Sequence, residues 1–139
     1  MALSDKEEAF NGRFFEDDGE KRKETAENFR AAVWKGRRVF VFGVLIDDTV
    51  EVGKGTVIYP GVVLKGGTVI GENCPLTSGT HIEDCIVGDE TVINASQCYR
   101  SKIGDQVKIG PFSHIRPNSD IADHVKIGDF VEVKNSTLD

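Results

Sequence analysis

The chain has 139 residues, of which 39% are apolar and 29% charged, with 15 glycines and a formal net charge of −6. That length holds one domain, with or without an extension, and so few apolar residues do not build a thick compact core. No apolar run approaches the roughly 18 residues that span a bilayer, the start MALSDKEEAF lacks the basic and apolar segments of a secretory leader, and the acidic balance excludes the basic footprint that duplex nucleic acid needs.

Three cysteines, Cys74, Cys85 and Cys98, lie 11 and 13 residues apart. This fits neither a disulfide framework nor a CxxC metal pair, and predicts a reduced, cytoplasmic protein.

Two building plans share the chain. Residues 1–38 hold 9 acids and 9 bases, and residues 39–139 hold 14 acids and 8 bases, so the net charge belongs to the second part. Seven of the 11 aromatic residues fall within residues 10–42. A boundary therefore falls near residue 43, dividing a charged, partly helical extension (1–42) from a repeat domain (43–139). In the extension, Ala26, Phe29, Ala32 and Val33 share one face of a helix predicted over Glu24–Lys35. Gly36 is its stop, and Arg37 and Arg38 suit the dipole at that end.

The second part has a six-residue period. Val52, Ile58, Leu64, Ile70, Leu76 and Ile82 form one series, and Ile103, Ile109, Ile115, Ile121, Ile127 and Val133 form another. Small residues follow many of these, as at Gly53, Gly71, Gly104 and Gly128, and a small or branched residue such as Thr56, Thr68, Thr80, Ser113 or Ser119 comes four places after. Between 82 and 103 the register slips, with a restart at Val87 and Ile93. A six-residue unit is one short strand and a tight turn, with the aliphatic inward and its successor outward. Three units close a triangular coil. Coils stacked at about 4.8 Å through parallel backbone hydrogen bonds make a solenoid of about five coils, roughly 24 Å long. The expected fold is all-β, a parallel β-helix whose core is a narrow ladder of aliphatics.

Two outward positions break the small-or-acidic pattern. Arg116 follows Ile115 and Lys134 follows Val133, 18 residues and so one coil apart. They should stack on one face about 5 Å apart, an arrangement that repels unless an anion lies between. A guanidinium beside an ammonium suits a phosphate. The alternative is two solvated cations paired with Glu132 or Asp120. Lys65 occupies the same kind of position. His81 and His114 share a face two coils apart, too far to ligate one zinc, and His124 lies on another face. Cys74 sits at an inward position and is expected in the core.

The segments GVLIDDTVEVGKGTVIYPGVVLKGGTVIGENC, KIGPFSHIRPNSD and KIGDFVEVKNS resemble the acetyltransferase half of the bifunctional N-acetylglucosamine-1-phosphate uridyltransferase/glucosamine-1-phosphate acetyltransferase family, over roughly residues 43–139. The resemblance implies a left-handed β-helix, a homotrimer, and a cytoplasmic role in UDP-N-acetylglucosamine and cell-wall precursor synthesis. It implies that Arg116 and Lys134 contact a sugar phosphate, and that acetyl-CoA is the acyl donor. Asn118, Asp129 and Asn135 depart from the family's usual Gly, Asn and Lys. The family's catalytic histidine, and the coils that hold acetyl-CoA, have no counterpart before Asp139. The expectation is therefore a partial acetyltransferase domain that keeps sugar-phosphate contacts, binds no acetyl-CoA by itself and is not catalytically competent alone. A non-catalytic trimeric scaffold is the other reading.

Overall fold

A computed structural model describes the backbone of residues 39–41 and all of residues 43–139. The helix predicted over Glu24–Lys35 lies outside the described residues. Those residues form eighteen short strands and no helix.

The strands build three faces. The first face holds β1 (Val39–Val41), β2 (Val44–Ile46), β5 (Val63–Lys65), β8 (His81–Glu83), β11 (Gln97–Tyr99), β14 (His114–Ile115) and β17 (Glu132–Val133). The second holds β3 (Glu51–Val52), β6 (Val69–Ile70), β9 (Ile86–Val87), β12 (Lys102–Ile103), β15 (Asp120–Ile121) and β18 (Thr137–Leu138). The third holds β4 (Val57–Ile58), β7 (Pro75–Leu76), β10 (Val92–Ile93), β13 (Lys108–Ile109) and β16 (Lys126–Ile127). Every third strand pairs in parallel, so β2 to β18 wind five coils and two sides of a sixth. This is the β-helix expected from the period. One pairing departs from the rule: β1 runs antiparallel to β2, with Val39 opposite Ile46, and carries the first face N-terminal of residue 43.

The inward ladder is the predicted one. Val52, Ile58, Leu64, Ile70, Leu76, Ile82, Ile103, Ile109, Ile115, Ile121, Ile127 and Val133 are all buried, each at most 5% exposed. The slip resolves into five-residue sides at Ile82 to Val87, Ile93 to Cys98 and Cys98 to Ile103, with another from Val133 to Leu138. Cys98 thereby takes an aliphatic's place between Ile82 and Ile115. Cys74 and Cys85 are also in the core. Burial pushes all three thiols up, Cys85 from 9.0 to about 11, so they stay protonated at neutral pH.

The buried hydroxyls show why the fourth place is Thr or Ser. Thr91 donates to the Gly104 carbonyl at 2.7 Å and accepts the Val107 N–H at 3.2 Å. Thr56 does the same between Gly71 and Cys74. Each hydroxyl satisfies corner groups of the next coil that burial would otherwise leave without a partner. Gly53, Gly71, Gly88 and Gly104, each after an inward residue, have a different cause. Coil backbones pass so close there that a Cβ on Gly71 would lie 2.6 Å from the Gly88 carbonyl carbon, and one on Gly88 would lie 2.7 Å from that of Gly104.

Candidate functional site

The outer surface of the first face carries two columns. The residues after the inward position run Lys65, Glu83, Tyr99, Arg116, Lys134, one per coil. Those before it run Val63, His81, Gln97, His114, Glu132. Arg116 and Lys134 therefore stand one above the other, as the spacing predicts. Lys65 stands in the same column, three coils from Arg116.

The Arg116 backbone is fixed on both sides. Its N–H donates to the Val133 carbonyl at 2.8 Å. Its carbonyl accepts the Ser119 hydroxyl at 2.9 Å, and the Ser101 hydroxyl lies 2.9 Å from the same oxygen. The guanidinium Nη1 lies 3.2 Å from Glu132 Oε2. That is one of the two partners weighed for it in the sequence. Both side chains are about half exposed (42% and 57%), so water screens the pair, and such bridges contribute at most about 1 kcal/mol. A guanidinium has five N–H donors, so one carboxylate leaves most of them available. Lys134 is exposed and has no ion pair among the described residues.

The turn after Arg116 explains a departure from the family pattern. Asn118 has φ of 67°, and Asn135, one coil on, has φ of 49°. Left-handed backbone is open to Gly and, at low cost, to Asn. Asn118 thus suits a left-handed corner, the position where the resemblance implies Gly. Its N–H donates to the Arg100 carbonyl at 2.9 Å.

Two shallow grooves meet at Arg116 and Pro117. One, of about 310 Å³, is lined by Arg116, Pro117, Asn118, Lys134 and Asn135. The other, of about 240 Å³, lies on the opposite side of Arg116 and is lined by Glu83, Tyr99, Arg100, His114, Arg116 and Pro117. Sequence reasoning missed the second groove. Its signal was Tyr99 in Arg116's own column, hidden because the five-residue sides break the period there. His81 and His114 are two coils apart, as expected, and the Tyr99 ring lies between them, with centroids 5.5 Å and 5.4 Å away. Burial, and then the Glu83 carboxylate, push the Tyr99 phenol above its ordinary value. Its hydroxyl stays protonated and lies 3.3 Å from Gln97 Oε1. His124 sits at a corner of another face, with φ of 66°. Among the described residues no group of three or more His, Cys, Asp or Glu is arranged to hold a metal ion.

This is a hexapeptide-repeat β-helix with two cations, Arg116 and Lys134, stacked on one face. A family model described as the GMPPB C-terminal domain matches residues 40–138, and the chain belongs to that family. It is also similar to proteins called Bifunctional protein GlmU. The identity is 53% over 92 residues with that of Geobacillus sp. (strain WCH70), covering 66% of this chain and 20% of the relative. With that of Listeria monocytogenes serotype 4a (strain HCC23) it is 48% over 93 residues, covering 67% and 20%. The chain thus spans about a fifth of the length of the curated relatives it matches. The likeness read from the KIGPFSHIRPNSD and KIGDFVEVKNS segments is borne out by these relatives. Among solved structures, the acetyltransferase domain of PglB from Neisseria gonorrhoeae FA1090, determined in complex with acetyl coenzyme A, superposes with a TM-score of 0.58. It is 18% identical, and the match covers 69% of this chain and 54% of that one. At that identity the match shows a shared fold.

Proposed function

We propose that residues 43–139 are the sugar-phosphate-binding part of a GlmU-like acetyltransferase domain that serves UDP-N-acetylglucosamine synthesis in the cytoplasm, as a homotrimer. The observation that carries this reading is the stacking of Arg116 on Lys134 one coil apart, in a chain about 50% identical to GlmU proteins over the same segments. The ligand is glucosamine 1-phosphate. Its phosphate sits between the Arg116 guanidinium and the Lys134 ammonium, displacing part of the Glu132 contact. A dianion gains two charge-assisted partners there and loses one screened, half-exposed pair, so the exchange favours the ligand.

These residues do not by themselves perform acetyl transfer. The reaction needs a base within hydrogen-bond reach of the substrate amine. His81 and His114 are packed against Tyr99 and His124 is on another face, so none of the three stands beyond Lys134, where the family's base follows.

The test is protection against heat by glucosamine 1-phosphate. A ligand at 100 times its dissociation constant adds about 2.7 kcal/mol of stability. The unaltered chain should melt several degrees higher with the ligand, and an Arg116→Ala, Lys134→Ala double variant should show almost no shift. Equal shifts in the two proteins would overturn the site. Sedimentation mass tests the trimer, and acetyl transfer on mixing with a polypeptide that carries the family's further coils tests whether the reaction needs groups outside residues 43–139.

A further inference from the structure

The outer surface of the second face differs from that of the first. Its residues before the inward position run Glu51, Val69, Ile86, Lys102 and Asp120, one per coil. Those after it are Gly53, Gly71, Gly88, Gly104 and Ala122, so a strip with no side chain larger than a methyl lies beside the first column. Val69 and Ile86 stand one coil apart and are 39% and 55% exposed. An exposed apolar ridge rimmed by charges marks a contact surface. A groove of about 550 Å³ continues it from Ile86 past Arg100, Lys102 and Asp120.

The course of the chain brings a candidate to this surface. β1 is antiparallel to β2, with Val39 opposite Ile46, and Ile46 leads through the corner at residues 47–50 to β3 on the second face. Traced backward from Val39, the backbone therefore leaves the first face at its border with the second, at the base of the solenoid. Only residues 36–38 separate that point from the helix predicted over residues 24–35, whose apolar face of Ala26, Phe29, Ala32 and Val33 needs a surface to cover it. Twelve helical residues span about 18 Å, and the rise from Glu51 to Lys102 is three coil spacings, about 14 Å. The charges also match end to end. Lys35, Arg37 and Arg38 enter at the base, where the solenoid carries Asp47, Asp48 and Glu51, and Glu24 and Glu27 lie toward the end that meets Arg100 and Lys102.

We propose that residues 24–35 dock as an amphipathic helix along the second face of their own chain, with Val33 at the level of Val69 and Phe29 at the level of Ile86. The bare strip lets the helix approach the sheet closely, and the two aliphatics supply the ridge it packs on. The second face is then closed by the chain itself, while the first face, with Arg116 and Lys134, stays open. This inference does not depend on the phosphate reading of that pair.

The experiment is amide hydrogen exchange on the full chain, read by mass spectrometry. Peptides covering residues 24–35 should exchange about tenfold or more slowly in the unaltered protein than in an Ile86→Asp variant, while peptides from residues 103–133 exchange alike in both. Ile86 faces outward and is 55% exposed, so its replacement leaves the inward ladder in place. Phe29→Asp, a change outside the solenoid, serves if Ile86→Asp does not fold, and should release the same peptides. Fast exchange of residues 24–35 in the unaltered protein would overturn the proposal, as would protection that survives these substitutions. Protection lost on dilution, in step with dissociation into single chains, would also overturn it, because the segment would then lie on a second copy.

Discussion

Replacing Gly88 with alanine should destabilise the solenoid at its middle. The new Cβ would lie 2.7 Å from the Gly104 carbonyl carbon and 2.8 Å from its oxygen, in the backbone of the next coil, and would strike the Asp105 carboxylate. Ordinary carbon contacts need about 3.5 Å, so the coils must part locally by roughly 0.7 Å or more. The bond from Gly88 N–H to the Ile103 carbonyl starts at 2.8 Å, and that displacement takes it beyond good hydrogen-bond geometry. Asp105 would also be pushed off the Asp89 N–H, which it now accepts at 2.7 Å. One backbone bond and one charge-assisted bond together cost about 2–4 kcal/mol. For a domain of this size that lowers the melting temperature on the order of 10–20 °C. Gly67→Ala is the control. Its Cβ would meet only Asp84 Oδ1 at 3.6 Å, an ordinary contact, so it should melt close to the unaltered protein or slightly above. The assay is thermal denaturation followed by far-ultraviolet circular dichroism. If Gly88→Ala melts with Gly67→Ala, the reasoning from close coil approach is wrong.

Other expectations follow from the same geometry. Thr91→Val keeps the volume but strands the Gly104 carbonyl and the Val107 N–H, both now bonded to the Thr91 hydroxyl. It should cost about 1–3 kcal/mol in urea unfolding, and an unchanged midpoint would refute that account. Cys85 holds its proton to about pH 11 in the folded chain, while an unfolded thiol releases it near pH 8.5. The folded state then binds more protons between those values, so this group's contribution to stability falls as pH rises through the window. Cys85→Ala should flatten the fall in melting temperature between pH 8 and pH 11, and an identical slope would refute the linkage. All three buried thiols should also resist a thiol-labelling reagent at pH 8 until the chain is denatured, and rapid labelling of the native protein would contradict their burial.

The ladder was legible because it is almost purely aliphatic. From Val52 to Ile82 and from Ile103 to Val133 every sixth residue is Leu, Ile or Val, and the physics of burial admits little else at those slots. It became illegible where Cys98 fills such a slot between two five-residue sides. A cysteine packs there as a small apolar group, but the residue letter carries no period. That gap also hid Tyr99, because its outward position is defined only once Cys98 is known to point inward. Arg116 and Lys134 were readable from their 18-residue spacing alone. The choice of Glu132 over Asp120 as partner for Arg116 was not, because it depends on which way a long side chain turns. Arg100, at a corner with φ of 42°, was unreadable for a different reason: nothing in its identity announces left-handed backbone, since Gly or Asn is the residue that suits it.

The shorter sides say something about how such a chain can change over generations. Strand pairing is set by the coil above and the coil below, not by counting from the start of the chain. A residue lost at a corner, as between Ile93 and Cys98, leaves the next strand still facing the right way. Single-residue insertions and deletions are therefore absorbed at the bends, whereas the same change within a two-residue strand would turn its side chains inside out. A lineage built on this plan can lengthen or shorten its corners, and so reshape what stands on its outer faces, while the interior keeps its order.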